Sequence, residues 1–296
     1  MRAFSLVAIV AIGYGAKRAG WVKASHFPIF ARLMIRVTLP CALATGYNSA
    51  VVTPGLLSIV AIGVGVNLVQ QVAAAVRYRH AGPDVQAFGV LHGGTYNIGA
   101  FTIPYVSGFM GPAAVVYASL FDVGNVVAAA GFGYAWAMSR ARGRALTVRS
   151  LTRDLLNPLL VVYLGLIAMR LLGWSLPGPI LSFTTLVGAA NPFMAMLMIG
   201  IGLALRPGRA KVRSAWRRLV WRYAFSVALA AVVWLGLPFS HEIRLTLVLV
   251  LFAPIASMVP GFVAEAKGDV ELSTYMNSVS ILVGLVAMPV VFLVLR

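Results

Sequence analysis

The chain has 296 residues, 60% of them hydrophobic and only 10% charged. Soluble domains carry about 25% charged residues, so the composition excludes an ordinary soluble domain and points to a polytopic membrane protein. The formal charge of +17 does not imply nucleic acid, because the bases sit in short loops between apolar stretches, the positive-inside pattern.

Ten apolar spans are predicted, at Ala3–Ala19, Phe27–Ser49, Pro54–Val76, Val85–Phe109, Pro112–Met138, Leu155–Leu172, Ile180–Leu205, Val220–Leu237, Leu245–Ala264 and Leu272–Leu295. Most approach the roughly 20 residues that a spanning helix needs. The first run is followed by Lys17 and Arg18, the reverse of a signal peptide's polarity. Bases then gather in alternate loops: Lys17, Arg18 and Lys23; Arg77 and Arg79; Arg140, Arg142, Arg144, Arg149 and Arg153; Arg206, Arg209, Lys211, Arg213, Arg217 and Arg218. The loops at Ser49–Thr53 and Met110–Gly111 have none. This pattern puts the basic loops in the cytoplasm and both termini outside it, in a multi-pass protein of the cytoplasmic membrane. The lone Cys41 excludes an intramolecular disulfide.

Within the fourth span, VLHGGTYNIGAFTIPYVSGFMG (90–111) carries three glycines before Pro104, together with Thr95, Tyr96, Asn97 and Thr102. Proline removes a backbone donor and blocks the carbonyl four residues earlier, here that of Ala100. An opened backbone is tolerated in hydrocarbon only where protein buries it or a wet cavity lines it, and such breaks form the midplane sites of secondary transporters. A merely kinked helix is the other reading, since Gly and Pro are frequent in membrane helices.

The two halves repeat weakly. Gly13, Ala16, Arg18, Gly20 and Trp21 match Gly165, Ala168, Arg170, Gly173 and Trp174; Pro40 matches Pro192, and Pro104 matches Pro260, at offsets near 152 to 156. With five spans in each half, this is the signature of an inverted-topology repeat. Residues 1–138 form the first five-helix repeat, 139–152 a basic cytoplasmic linker and 153–296 the second. The counterpart of the first break is LFAPIASMVPGFVAEAKG (251–268), with Pro254 and Pro260 around Ser257. Broken helices four and nine are expected to cross, with half-helix N-termini that favour an anion.

Asp122 is the one carboxylate deep in a span, and Asn125 shares its helical face. The repeat maps this pair onto Asn277 and Ser280. A proton or Na⁺ site at Asp122, Asn125 and Ser280 is one reading; a tether for the opened backbone is the other. Asn97 is the leading candidate for substrate contact, because its amide can donate to a carboxylate, with Thr95, Tyr96, Ser257 and Asn277 beside it. His92 reads as a gate or as a structural hydrogen-bonding group. Asn48, Asn67, Gln70, Gln71 and Asn191 read as interhelical glue, and Glu265, Lys267, Asp269 and Glu271 as a solvated loop. There is no HExxH, nucleotide-binding glycine loop or second intramembrane aspartate, so no enzyme is expected, and no cofactor beyond H⁺ or Na⁺.

Asn97-Ile-Gly99-Ala-Phe-Thr-Ile-Pro104 with Gly108 and Gly111, then Val259-Pro260-Gly-Phe-Val-Ala-Glu, Pro289, Pro40 and Asn157-Pro158, resemble the auxin efflux carrier family across essentially the whole chain. Thr102 stands where family members often have glycine. The resemblance implies ten helices in two inverted repeats, a fold shared with bile acid/sodium symporters. Spans 1, 2, 6 and 7 would be the scaffold, and spans 3–5 and 8–10 the moving domain. It further implies small organic anions as substrates, with Gly99, Pro104 and Pro260 at the crossover. The alternative is a non-transporting membrane sensor or assembly subunit that keeps the fold. Either would partner the lipid bilayer and not nucleic acid; a homodimer is compatible with both.

Overall fold

The structure, a computed structural model, describes residues 2–143, 158–205 and 207–296. Among these the regular elements are all helical. In chain order they are α1 (Arg2–Arg18), α2 (Ala24–Ser49), α3 (Pro54–Arg77), α4 (Pro83–Gly93), α5 (Ile103–Ser107), α6 (Pro112–Arg142), α7 (Pro158–Leu171), α8 (Gly178–Gly202), α9 (Arg209–Gly236), α10 (His241–Leu251), α11 (Val259–Glu265) and α12 (Val270–Leu295). Six of them, α2, α3, α6, α8, α9 and α12, are long and apolar enough to cross a membrane, as expected of a membrane protein.

Local chemistry sets the helix ends. Proline opens α3, α4, α6 and α7, where its missing N–H would have had no intrahelical partner. Gly20 and Gly173 close α1 and α7 at φ +81 and +74. In both, the tryptophan that follows donates five residues back, Trp21 to Ala16 and Trp174 to Met169, so the matched Gly-Trp pairs end their helices with the same motif. Two wide π turns, Met34–Thr38 and Ile98–Thr102, precede Pro40 and Pro104. The extra residue in each turn absorbs the carbonyl that proline would otherwise strike.

One boundary departs from expectation. Helix α9 starts at Arg209 rather than Val220, so Lys211, Arg213, Arg217 and Arg218 lie on a helix and not in a loop. The run contains no Gly or Pro, and its Ala, Arg, Lys and Leu are good helix formers; long cationic side chains can reach water from a helix. Arg140 and Arg142 likewise belong to the last turn of α6. Arg144, Arg149, Arg153, Arg206 and most of the 139–152 linker lie outside the described residues.

The helices group into two compact units, each drawing on both halves of the sequence: Met1–Leu57, Ile98–Leu120 and Pro158–Leu203; and Ser58–Asn97, Phe121–Asn157 and Ala204–Arg296. In the first, α1 lies so close to α8 that a Cβ on Gly13 would come within 2.4 Å of the Leu197 carbonyl, and one on Gly200 within 2.2 Å of Val10's. Membrane helices associate through such close backbone approach rather than through hydrophobic transfer. Side chains complete the packing: Thr38 donates to Asn191, Thr45 to Thr184, and Asn48 accepts from the Leu176 N–H. The second unit repeats the device between α3 and α6, where Gly63 and Gly124 face the backbone of Phe121 and Val60 at 2.4 and 2.2 Å. Its apolar core joins Phe88 and Leu91 of α4 to Leu219 of α9, Ile255, Val259 of α11 and Met276 of α12.

Candidate functional site

Two stretches of the second unit leave the helical path inside the apolar core. Helix α4 stops at Gly93 and the chain stays open through Asn97; α10 stops at Leu251 and the chain stays open until Val259. The two openings meet. The Asn97 N–H donates to the Pro254 carbonyl at 2.9 Å, and the Asn97 amide nitrogen donates to the Ser257 hydroxyl at 2.7 Å. Asn97 is buried and Ser257 exposed, so the pair runs from the interior to an accessible edge.

A buried backbone must place its hydrogen bonds somewhere, and the first opening places them on side chains of three neighbouring helices. Arg222 of α9 donates to the carbonyls of His92, Gly93 and Thr95 at 2.6, 2.8 and 2.6 Å. Gln71 of α3 donates to the Gly94 carbonyl at 3.1 Å and to Ala128's at 3.0 Å. Asn125 of α6 clasps Tyr96 on both sides, accepting from its N–H at 3.1 Å and donating to its carbonyl at 2.9 Å. The same amide donates to Asp122 at 2.8 Å, so Asp122 fixes which way Asn125 faces.

The second opening is held by the same kind of pair. Ser280 accepts from the Ile255 N–H at 3.0 Å, and Asn277 donates to the Ile255 carbonyl at 2.8 Å. Asp122/Asn125 and Asn277/Ser280 thus each splint a broken backbone from the following long helix. Thr95 and Tyr96 are buried; the Thr95 hydroxyl turns back to the Leu91 carbonyl, and the Tyr96 ring lies under the Arg222 guanidinium at 4.8 Å. Pro260 begins α11 in this unit, whereas Gly99 and Pro104 belong to the first unit. His92 is bonded at both ring nitrogens, to the Phe88 carbonyl and the Ser273 hydroxyl, and stacks on Phe88. That is the geometry of a structural histidine.

Arg222 is the residue that reading the sequence missed. It stands four residues beyond the basic run that ends at Arg217-Arg218, and nothing local singles it out. Yet it lies inside the predicted eighth span, where an ionisable side chain marks a functional site by default. It is 2% exposed, and among the described residues the only ion pairs are those of Lys211 with Asp269 and Glu271. A cationic head therefore sits beside the first opening with carbonyl dipoles, not a carboxylate, around it. Helix α11, with seven residues, has little dipole to offer an anion, so Arg222 is the stronger source of positive potential in this unit.

Cavity size narrows what the surroundings can hold. The space lined by Tyr78, His92, Arg218 and Arg222 measures about 10 Å³, enough for one water and too small for an organic acid. A cavity of about 340 Å³ in the first unit, lined by Thr45, Ser107 and Pro192, has no charged side chain. Where the two open backbones meet, the Asn97–Ser257 pair is the polar group that reaches an accessible edge. No family model matches the sequence, and no curated protein resembles it.

Proposed function

We propose that the protein is a secondary active transporter of small organic anions, such as mono- or dicarboxylates, bound where the two open backbones meet. The observation that carries this reading is the junction itself. Two interrupted helices in an apolar chain are joined through Asn97, with a polar edge at Ser257 and a buried arginine beside the first break. Open backbone at membrane depth is costly unless it serves a site, and midplane sites made from paired broken helices are the transporter solution. The finer reading follows the family resemblance: ten spans in two inverted repeats, broken helices four and nine crossing, and elevator-like alternating access in a compact permease of the auxin efflux carrier type. Spans 1, 2, 6 and 7 fall within one compact unit, in keeping with this reading, although that unit also takes in the second part of span 4 and the start of span 5.

Uptake into proteoliposomes with a panel of labelled mono- and dicarboxylates tests the proposal. Saturable flux of at least one anion is expected. A folded preparation with no saturable flux for any of them would instead favour a membrane sensor or assembly subunit.

A further inference from the structure

The three carbonyls at the end of α4 form a cup that a cation would fill. His92 and Gly93 turn their oxygens to Nη1 of Arg222 and Thr95 turns its oxygen to Nη2, at 2.6–2.8 Å, so all three gather around one guanidinium. His92 and Gly93 are the last residues of α4, so the cup stands at the negative end of a helix dipole. Helix C-terminal ends and unwound carbonyls of this kind are what transporters of broken-helix design use to coordinate Na⁺. Here the position is taken by a guanidinium anchored on α9, with the Tyr96 ring against its face.

We infer that Arg222 is a tethered cation: it fills the carbonyl cup of the first break permanently, so that the site needs no Na⁺ there. The guanidinium supplies the charge that a bound ion would bring, and it cannot leave. Its Nε–H and the Ser226 hydroxyl one turn further along α9 make no well-formed hydrogen bond. Among the described residues the arginine's only hydrogen-bond partners are thus the carbonyls of the cup, which fix its place. The consequence for the activity proposed above, on which this clause rests, is anion transport that is indifferent to Na⁺ at this break.

The test is a cation titration of the purified full-length protein, read as the thermal unfolding midpoint at constant ionic strength in choline, Na⁺ or millimolar guanidinium chloride. Substrate is not needed, so a failed flux assay and a failed cation assay remain distinguishable. Wild type should gain less from Na⁺ over choline than Arg222→Ala does. Arg222→Ala should be less stable in choline and regain about 3–5 °C in Na⁺ or guanidinium at roughly ten times the dissociation constant. Arg222→Gln keeps donors for the carbonyls but has no charge, and should show the same cation response. Arg222→Lys keeps the charge and should not. The inference is overturned if Na⁺ over choline stabilises wild type as much as it stabilises Arg222→Ala. It is equally overturned if the two neutral variants ignore Na⁺ and guanidinium, or fail to fold in any of the three salts.

Discussion

Replacing Asn97 by alanine takes away the donor to Ser257 but leaves the main-chain bond to Pro254, so the two openings stay joined while the polar edge is lost. A hydrogen bond to a charged group is worth about 1.5–3 kcal/mol. Anion affinity of Asn97→Ala should therefore fall about tenfold to a hundredfold, with little change in the unfolding midpoint; unchanged affinity would move the site. Asp122→Asn separates charge from tethering. An asparagine there still offers an oxygen to the Asn125 amide, so the clasp on Tyr96 and the fold should survive. The expected loss is gradient-driven accumulation, with exchange of bound substrate retained. Accumulation like wild type across about pH 5 to 8, with and without Na⁺, would reduce Asp122 to a tether. Asn97, Asp122 and Asn125 could be singled out in the sequence because a polar side chain in an apolar run is conspicuous. Arg222 was not, because a base just beyond a basic run reads as interfacial, and only its burial and its carbonyl partners set it apart.

At the scale of helices, the same glycines that let α3 and α6 touch also place the Asp122/Asn125 pair. Gly63 meets the backbone of Phe121 and Gly124, and Gly124 stands between the two polar residues. Gly63→Val would drive a side chain into the Phe121 carbonyl, and overpacking of this kind costs about 1–3 kcal/mol. The variant should unfold earlier and bind anion less well, although it touches neither; an unaltered midpoint would show that the helices separate freely. Far from the site, Asp269 caps α12 by accepting from the Leu272 N–H at 3.0 Å and pairs with Lys211 of α9 at 2.9 Å. Partial burial pushes its carboxyl up, but the Leu272 N–H and the Lys211 ammonium together hold it below the ordinary carboxylate value. Bonds to Glu271 and Asp269 hold Lys211 above the ordinary lysine value. A depressed acid contributes its stability above its unfolded pKa of about 4 and loses it as pH falls through the folded value; a raised base loses its share only as pH rises through its own. Asp269→Ala should thus cost about 1 kcal/mol at neutral pH, and the gap from wild type should close in strong acid. The helix breaks were legible from clustered Gly, Pro and polar residues. The π turns before Pro40 and Pro104 were not, because nothing local distinguishes a wide turn from an ordinary proline kink.

For the whole molecule, the positive-inside pattern predicts that cysteines placed at Ser150 and Ser49 are labelled from opposite sides of the membrane; labelling from one side would remove the inverted-repeat reading along with the topology. The interleaving of the two compact units was not readable from periodicity. Hydropathy marks where helices are and says nothing of which helix pairs with which. The pairing came from the close Gly13–Gly200 and Gly63–Gly124 approaches, and a glycine that packs looks no different in sequence from one that merely bends.

The origin of Arg222 also sets an order of assembly. Its partners His92 and Thr95 precede it by 130 and 127 residues, which at about 5–20 residues per second means a delay of roughly 6–26 s during synthesis. Through that interval the newly inserted first break has three carbonyls with no donor from its own half of the chain. These three carbonyls gain the Arg222 donors only once α9 has been synthesised. The first half of the chain thus lacks the donor that completes its own break, and each compact unit draws on both halves of the sequence.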